Sequence, residues 1–154
     1  MSTSTLVTID RVIAAMQGHG ISLVDDPSGR TAHANINGFE VMFVILDSVM
    51  IVRTAAATQV PSDTPDPTLY LAANQVNSSL IGARAMVVNR QAEILLRTEA
   101  EVPIAAGLTD EQLSSSLKRA VDGILNAQDA LKVTAEQFEQ MRDSAEQAGG
   151  SADL

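Results

Sequence analysis

Apolar residues near the N-terminus recur with the period of an α-helix. Positions i, i+3, i+4 and i+7 of one helical face are occupied by Ile9, Val12, Ile13 and Met16. Gly18 and Gly20 follow this stripe and are typical of a helix end. The spacing predicts a first helix over about residues 8–18.

The pattern then changes to short segments of β-strand character. These segments are "ISLV", "TAHANI", residues 39–46 and residues 49–54. Asn37-Gly38 separates two of them and is the strongest short signal for a two-residue hairpin turn. The long apolar runs indicate well-buried central strands. We therefore predict an antiparallel meander of three or four strands.

A proline-rich segment, "TQVPSDTPDP" at residues 58–67, predicts a loop that leads into a second helix. Asp66 suits the N-cap of that helix and Pro67 its first position. The predicted apolar stripe comprises Leu69, Ala72, Ala73, Val76 and Leu80, and the helix is expected to end at Gly82. On a flank of this stripe, Tyr70, Asn74 and Asn77 lie one turn apart.

The remaining sequence predicts a second hairpin and a long helix. "ARAMVV" and "AEILLRTEAEV" flank residues 89–91, and the second segment alternates between an apolar and a charged face. Glu99 and Glu101 lie on the charged face, which we interpret as solvated and protective against aggregation. Thr109 and Gln112 form a capping box for the last helix. The helical stripe of this element comprises Leu113, Leu117, Val121, Ile124, Gln128 and Leu131, and it continues through Ala135, Phe138 and Met141.

These elements predict one domain over residues 1–147, followed by a flexible acidic tail at residues 148–154. Their order is α-β-β-β(β)-α-β-β-α. Because the strands occur in hairpins instead of alternating singly with helices, the fold class is α+β with an antiparallel sheet.

The composition argues against several classes of partner. The formal net charge is -9, whereas nucleic acids and anionic membranes attract basic surfaces. No apolar run is long enough for membrane insertion as a helix. The first residues lack the basic and apolar regions of a signal peptide, so we expect a cytoplasmic protein.

Signatures of catalysis and cofactor binding are missing from the sequence. The chain has no cysteine and only two histidines, His19 and His33, which are not part of a His-Glu-x-x-His motif. Neither a Gly-x-Ser-x-Gly motif nor a glycine-rich phosphate loop occurs. We therefore expect no catalytic residues, no cofactor and no metal site.

The order of these segments resembles the YbjN-like family, described as bacterial sensory transduction regulators. The resemblance depends on the helix phrase "LYLAANQVNSSLIGARAMV", the following hairpin, and "EVPIAAGLTDEQL" before the last helix. It covers roughly residues 8–140 of the chain. The resemblance implies a type III secretion chaperone-like fold, dimerisation and the binding of protein segments.

Two features are candidates for protein binding. Asn74 and Asn77 could grip the backbone of a partner, or they could fasten the second helix to a neighbouring strand or loop, which is the interpretation we favour. The distal stripe of the last helix extends beyond a small sheet and could form a dimer contact, a groove for an amphipathic partner helix, or simply a solvated face. The predicted protein-binding residues are Asn74, Asn77, Leu131, Phe138 and Met141.

The function predicted from the sequence is a non-enzymatic protein-binding or regulatory module. We expect a homodimer in which the distal part of the last helix crosses the two-fold axis, together with a protein partner of unknown identity. The alternative is a small-molecule sensor or minor enzyme that uses a pocket between the second helix and the sheet.

Overall fold

The computed structural model describes residues 3–90 and 92–150. In chain order its elements are α1 (Ile9–Gly18), β1 (Val24–Asp25), β2 (Thr31–Ile36), β3 (Phe39–Ile45), β4 (Val49–Pro61), α2 (Thr68–Ser79), β5 (Arg84–Arg90), β6 (Glu93–Pro103) and α3 (Asp110–Gly150). The predicted α+β class is confirmed. No helix in the described ranges has the length and hydrophobicity required to cross a bilayer.

The six strands form one antiparallel sheet with the order β1-β2-β3-β4-β6-β5. Asn37 and Gly38 connect β2 to β3 with φ angles of 53° and 87°. Positive φ at both positions is the requirement of the predicted two-residue hairpin turn. The long connection through α2 places β6 beside β4 and leaves β5 at the edge of the sheet.

The prediction of a loop from residue 58 is wrong over its first four residues, because β4 continues to Pro61. The register between β4 and β6 shifts between Ala57 and Pro61, and Gln59 has a φ of 60°. Side chains supply hydrogen bonds at this irregularity. The Thr58 hydroxyl donates to the Ile94 carbonyl at 2.7 Å, and the Gln59 N–H donates to Glu93 Oε1 at 2.7 Å. These local bonds allow the strand to pass through a polar, proline-containing sequence.

The main core lies between one face of the sheet and the helices α1 and α3. Val12 and Met16 of α1 and the α3 stripe from Leu113 to Ile124 lie in it, and its largest fully buried side chains include Phe43, Met16, Met50, Leu113 and Leu117. The capping box of α3 is present. The Thr109 N–H donates to Gln112 Oε1 at 2.9 Å, and the Gln112 N–H donates to Thr109 Oγ1 at 3.1 Å.

A second core lies between α2, the distal half of α3 and the strands β5 and β6. It is built from Ala72, Ala73, Val76, Ala85, Leu96, Ala127 and Leu131. The helices α2 and α3 run antiparallel, because Gly123 of α3 lies against Gly82 just after α2, whereas Arg142 pairs with Asp66 just before it. The candidate binding residues of α3 lie in the part of this helix that runs beside α2.

The predicted tail begins inside α3, which continues to Gly150. Residues 151–154 of the tail lie outside the described residues, as does Gln91 of the predicted hairpin turn. The division of the chain at residue 147 stays a prediction.

Candidate protein-interaction surface

Asn77 fastens α2 to the edge strand β5. Its Nδ2 donates to the Ala85 carbonyl at 2.9 Å, and its Oδ1 accepts from the Ala85 N–H at 2.7 Å. The side-chain amide of Asn77 therefore does for Ala85 what a neighbouring strand would do, because it satisfies both the N–H and the C=O of this edge residue. Helical periodicity brings Asn77 to this edge, since it lies on the flank of the buried stripe of α2.

Asn74 has a different environment, although it lies only one turn away. Its side chain is exposed and makes no hydrogen bond to any residue within 3–90 or 92–150. Its backbone carbonyl accepts a hydrogen bond from the Ser78 hydroxyl at 2.8 Å. Of the two asparagines, Asn74 therefore has the amide that is available to a partner.

Leu131 and Phe138 contribute to the second core. Leu131 is fully buried, and Phe138 is half-buried against the alanine-rich face of α2. Both side chains hold the distal part of α3 against α2. Their predicted role in binding another protein stays a prediction.

The antiparallel contact of α2 with α3 ends in a polar cluster around Asp66. The Thr68 hydroxyl donates to Asp66 Oδ1 at 2.6 Å, and the Thr68 N–H donates to the same oxygen at 3.0 Å. Arg142 of α3 forms an ion pair with the other carboxylate oxygen. These groups stabilise the charged carboxylate, so they lower the pKa of Asp66, the Thr68 hydroxyl being the largest cause and Arg142 a smaller one.

Four large apolar side chains of α2 and α3 are exposed. Their exposed fractions are 47% for Tyr70, 51% for Leu71, 52% for Val133 and 62% for Met141. We call these four residues the outer ridge. Sequence analysis named Met141 as a candidate but did not name Leu71 or Val133. The sequence signal for these two residues is that each is apolar but lies off the buried stripe of its helix.

The charged face of β6 is less solvated than predicted. Glu101 is exposed, but Glu99 is only 6% exposed, so the prediction of a solvated pair is wrong for Glu99. Arg84 of β5 bonds to Glu99 at 3.1 Å and to Glu101 at 3.2 Å, while Arg97 approaches Glu99 at 3.9 Å. The antiparallel register places Arg84 and Glu99 side by side, so Arg84 covers the buried carboxylate.

The two histidines lie in separate parts of the fold. His19 contacts the hydroxyl of Ser114 at 3.0 Å, and His33 pairs with Glu40 across the β2–β3 hairpin at 2.5 Å. Within the described ranges, no group of three or more metal-ligating side chains comes together. The space between α2 and the sheet, where the alternative function would need a pocket, is occupied by the second core.

Comparison with solved structures identifies the class of fold. A crystal structure of YbjN from E. coli, described as "a putative transcription regulator", has a TM-score of 0.67 and 17% identity, and the match covers 88% of this chain and 97% of that one. A chain of the HopA1–SchA chaperone–effector complex has a TM-score of 0.53 and 15% identity, covering 84% and 98%. The fold is therefore that of YbjN and of this chain from a chaperone–effector complex.

The sequence assigns the chain to a family within this class. Residues 8–133 match the profile of the YbjN family, described as "Putative bacterial sensory transduction regulator". The match extends over most of the chain, so the protein belongs to the YbjN family. No curated protein matches the sequence.

Proposed function

We propose that this protein is a non-enzymatic regulatory module that binds another protein and acts as a homodimer. The observation that carries the proposal is the outer ridge, because four large apolar side chains on one helix pair are costly to leave in water. Membership of the YbjN family supports a regulatory role. The likeness to a chaperone–effector complex supports protein binding.

The proposed dimer contact is the distal part of α3, which crosses the two-fold axis. Val133 and Met141 are eight residues apart, which places them about 80° apart around α3, on neighbouring parts of its surface. In this arrangement Met141 and the exposed part of Phe138 contact the second copy. Leu131 acts indirectly by holding α3 against α2.

The second part of the proposal concerns the protein partner. Asn74 lies on α2 near Tyr70 and Leu71, so its free amide offers a donor and an acceptor beside apolar side chains. We propose that this part of the outer ridge binds the partner in the cytoplasm. Asn77 would contribute to binding only by keeping α2 in place.

Light scattering of the purified full chain at micromolar concentration tests the dimer. We expect two subunits for the wild type and one for the double substitution Val133→Glu and Met141→Glu, because a carboxylate pair would meet its symmetry copies across the axis. Lys132→Glu is the control, since it changes the charge of α3 at an exposed position outside the ridge. An unchanged subunit number in the double variant would show that the distal part of α3 is not the contact.

A pull-down with the immobilised chain tests the partner. The wild type should recover one protein at stoichiometric yield, and Leu71→Glu should recover less of it without a change in melting temperature. Equal recovery by both proteins would remove α2 from the proposed binding surface.

A further inference from the structure

The sheet has a gap at one edge where β6 is longer than its neighbour β5. Arg84 to Arg90 of β5 pair with Glu99 to Glu93 of β6. Residues 100–103 of β6 therefore have β4 as a neighbour on one side and no strand on the other. We call residues 100–103 and the space beside them the β6 notch.

The register directs the peptide groups of Glu101 into the β6 notch. Ala85 directs its own N–H and C=O to Asn77, away from β6, so the hydrogen-bonded pairs between β5 and β6 involve the alternate residues. Glu99 forms such a hydrogen-bonded pair with Arg84. Glu101 is the next residue of β6 whose N–H and C=O point toward the same side of the strand. Gly82 lies opposite Glu101, but its φ of 98° turns the chain out of the sheet. No backbone hydrogen bond joins Gly82 to Glu101 in the described ranges.

Concave space surrounds this open strand edge on both faces of the sheet. A cavity of about 200 Å³ lies between the edge and α3 and is lined by small or apolar groups that include Ala100, Val102, Ser116 and Ala120. A second cavity, of about 320 Å³ but shallow and widely open to solvent, lies beside Arg84 on the other face. An added strand directs alternate side chains to opposite faces of a sheet, so these two cavities can accept successive side chains of one extended segment.

The charges around the β6 notch favour an acidic ligand. Arg84 is paired with Glu99 and Glu101, and Lys118 is paired with Asp122 at 2.8 Å. Arg119 lines the notch, and its guanidinium has no hydrogen bond or ion pair with the part of the chain that the structure describes. The side chain of Ile81 next to it is fully exposed. A carboxylate beside an aliphatic side chain complements this combination.

We propose that the β6 notch binds an extended segment of a protein partner. The segment adds to β6 as a short strand, hydrogen-bonds to Glu101, places a small aliphatic side chain under α3 and brings a carboxylate to Arg119. This proposal rests on the proposed function, since it requires a protein partner, but it concerns a surface separate from the outer ridge.

A phage-displayed library of random decapeptides, selected on the immobilised full chain, provides the probe. Peptides that bind should share an aliphatic and an acidic residue two positions apart, because both side chains face α3 in an added strand. Glu101→Pro removes the N–H that faces the notch and leaves the pairing with β4 intact, because proline is tolerated on the open side of a strand. Glu101→Ala is the matched control, since it removes the same side chain and keeps the N–H.

The affinity of a selected peptide should fall about tenfold in Glu101→Pro relative to Glu101→Ala, as expected for the loss of one backbone hydrogen bond. Arg119→Glu should weaken binding by a similar factor, whereas Lys132→Glu on the same helix should not. Failure to select any peptide, or equal affinity for the proline and alanine variants, would overturn the proposal. A change of subunit number in Glu101→Pro would instead assign the notch to a second copy of this chain and would also overturn it.

The partner recovered by the pull-down separates this proposal from the proposed function. If Glu101→Pro and Arg119→Glu retain a stoichiometric partner that Leu71→Glu loses, the protein binds its partner through the outer ridge alone. In that case the proposed function stands and the β6 notch has no role.

Discussion

The two cores of this protein are built from different side chains. The main core, under α1 and the first half of α3, contains Phe43, Met16 and Met50, all of which are essentially inaccessible to solvent. The second core, under α2 and the distal half of α3, is dominated by alanine at four of its seven buried positions. Because each buried methylene contributes about 0.8 kcal/mol, the second core gains less free energy from burial.

Hydrogen bonds and an ion pair accompany the weaker apolar packing around the second core, which we call the second region. Asn77 holds the edge of β5, and Asp66 links the start of α2 to Arg142 of α3. Gln128, a buried residue of α3, donates to the Leu96 carbonyl at 3.0 Å. Such bonds fix positions more than they add net stability. The comparison therefore indicates that α2, β5 and distal α3 open more readily than the rest, as expected for elements that exchange contacts with a partner.

The largest expected effect is in the main core. Leu117→Ala should lower the free energy of unfolding by about 2–5 kcal/mol, because it leaves a cavity beneath fully buried neighbours. Leu46→Ala makes the same chemical change at an exposed position and should alter stability by less than about 0.5 kcal/mol. Urea unfolding followed by circular dichroism measures both values. Similar losses in the two variants would mean that α3 does not pack through the stripe described.

A smaller effect is expected in the second region, at Asn77. Asn77→Ala should cost about 1–2 kcal/mol, because both peptide groups of Ala85 lose their partner at an edge that water can partly reach. Asn74→Ala should change stability by less than about 0.5 kcal/mol. Hydrogen exchange of the Ala85 amide gives a local measurement, and its protection should fall only in the Asn77 variant. Equal behaviour of the two asparagine variants would contradict the fastening role.

The same two regions differ in how far the sequence predicts them. The stripe of α3 from Leu113 to Leu131 and the capping box follow from helical periodicity and local hydrogen bonding, and both are confirmed. The burial of Glu99 did not follow, because it depends on the register of the β5–β6 hairpin, which places Arg84 opposite Glu99. The different environments of Asn77, which bonds to β5, and Asn74, which is exposed, depend on where the edge of β5 meets α2. Register and strand length decide such details, and residues 89–91 contain no strong turn signal such as Asn-Gly that would specify the register of this hairpin.

The smallest expected effect concerns Asp66, and it gives the second region a dependence on pH. The pKa of Asp66 is lowered in the folded state, so its contribution to stability is complete above the pKa of the unfolded chain, about 4, and is lost as the pH falls through the lower folded value. Protection of the Leu71 amide in the first turn of α2 should therefore be greater for the wild type than for Asp66→Asn at pH 7, and the difference should begin to shrink near pH 4 and disappear once the pH is below the folded pKa of Asp66.

Arg142→Gln separates the contributions to this effect. Because the hydrogen bonds from Thr68 lower the pKa of Asp66 more than Arg142 does, this variant should keep most of the pH dependence that Asp66→Asn removes. Hydrogen exchange followed by NMR, with rates corrected for the intrinsic effect of pH, measures protection in all three proteins. A complete loss of the pH dependence in Arg142→Gln would assign the effect to the ion pair with α3. The same protection difference between wild type and Asp66→Asn at pH 7 and pH 2.5 would show that the charge of Asp66 does not hold α2 in place.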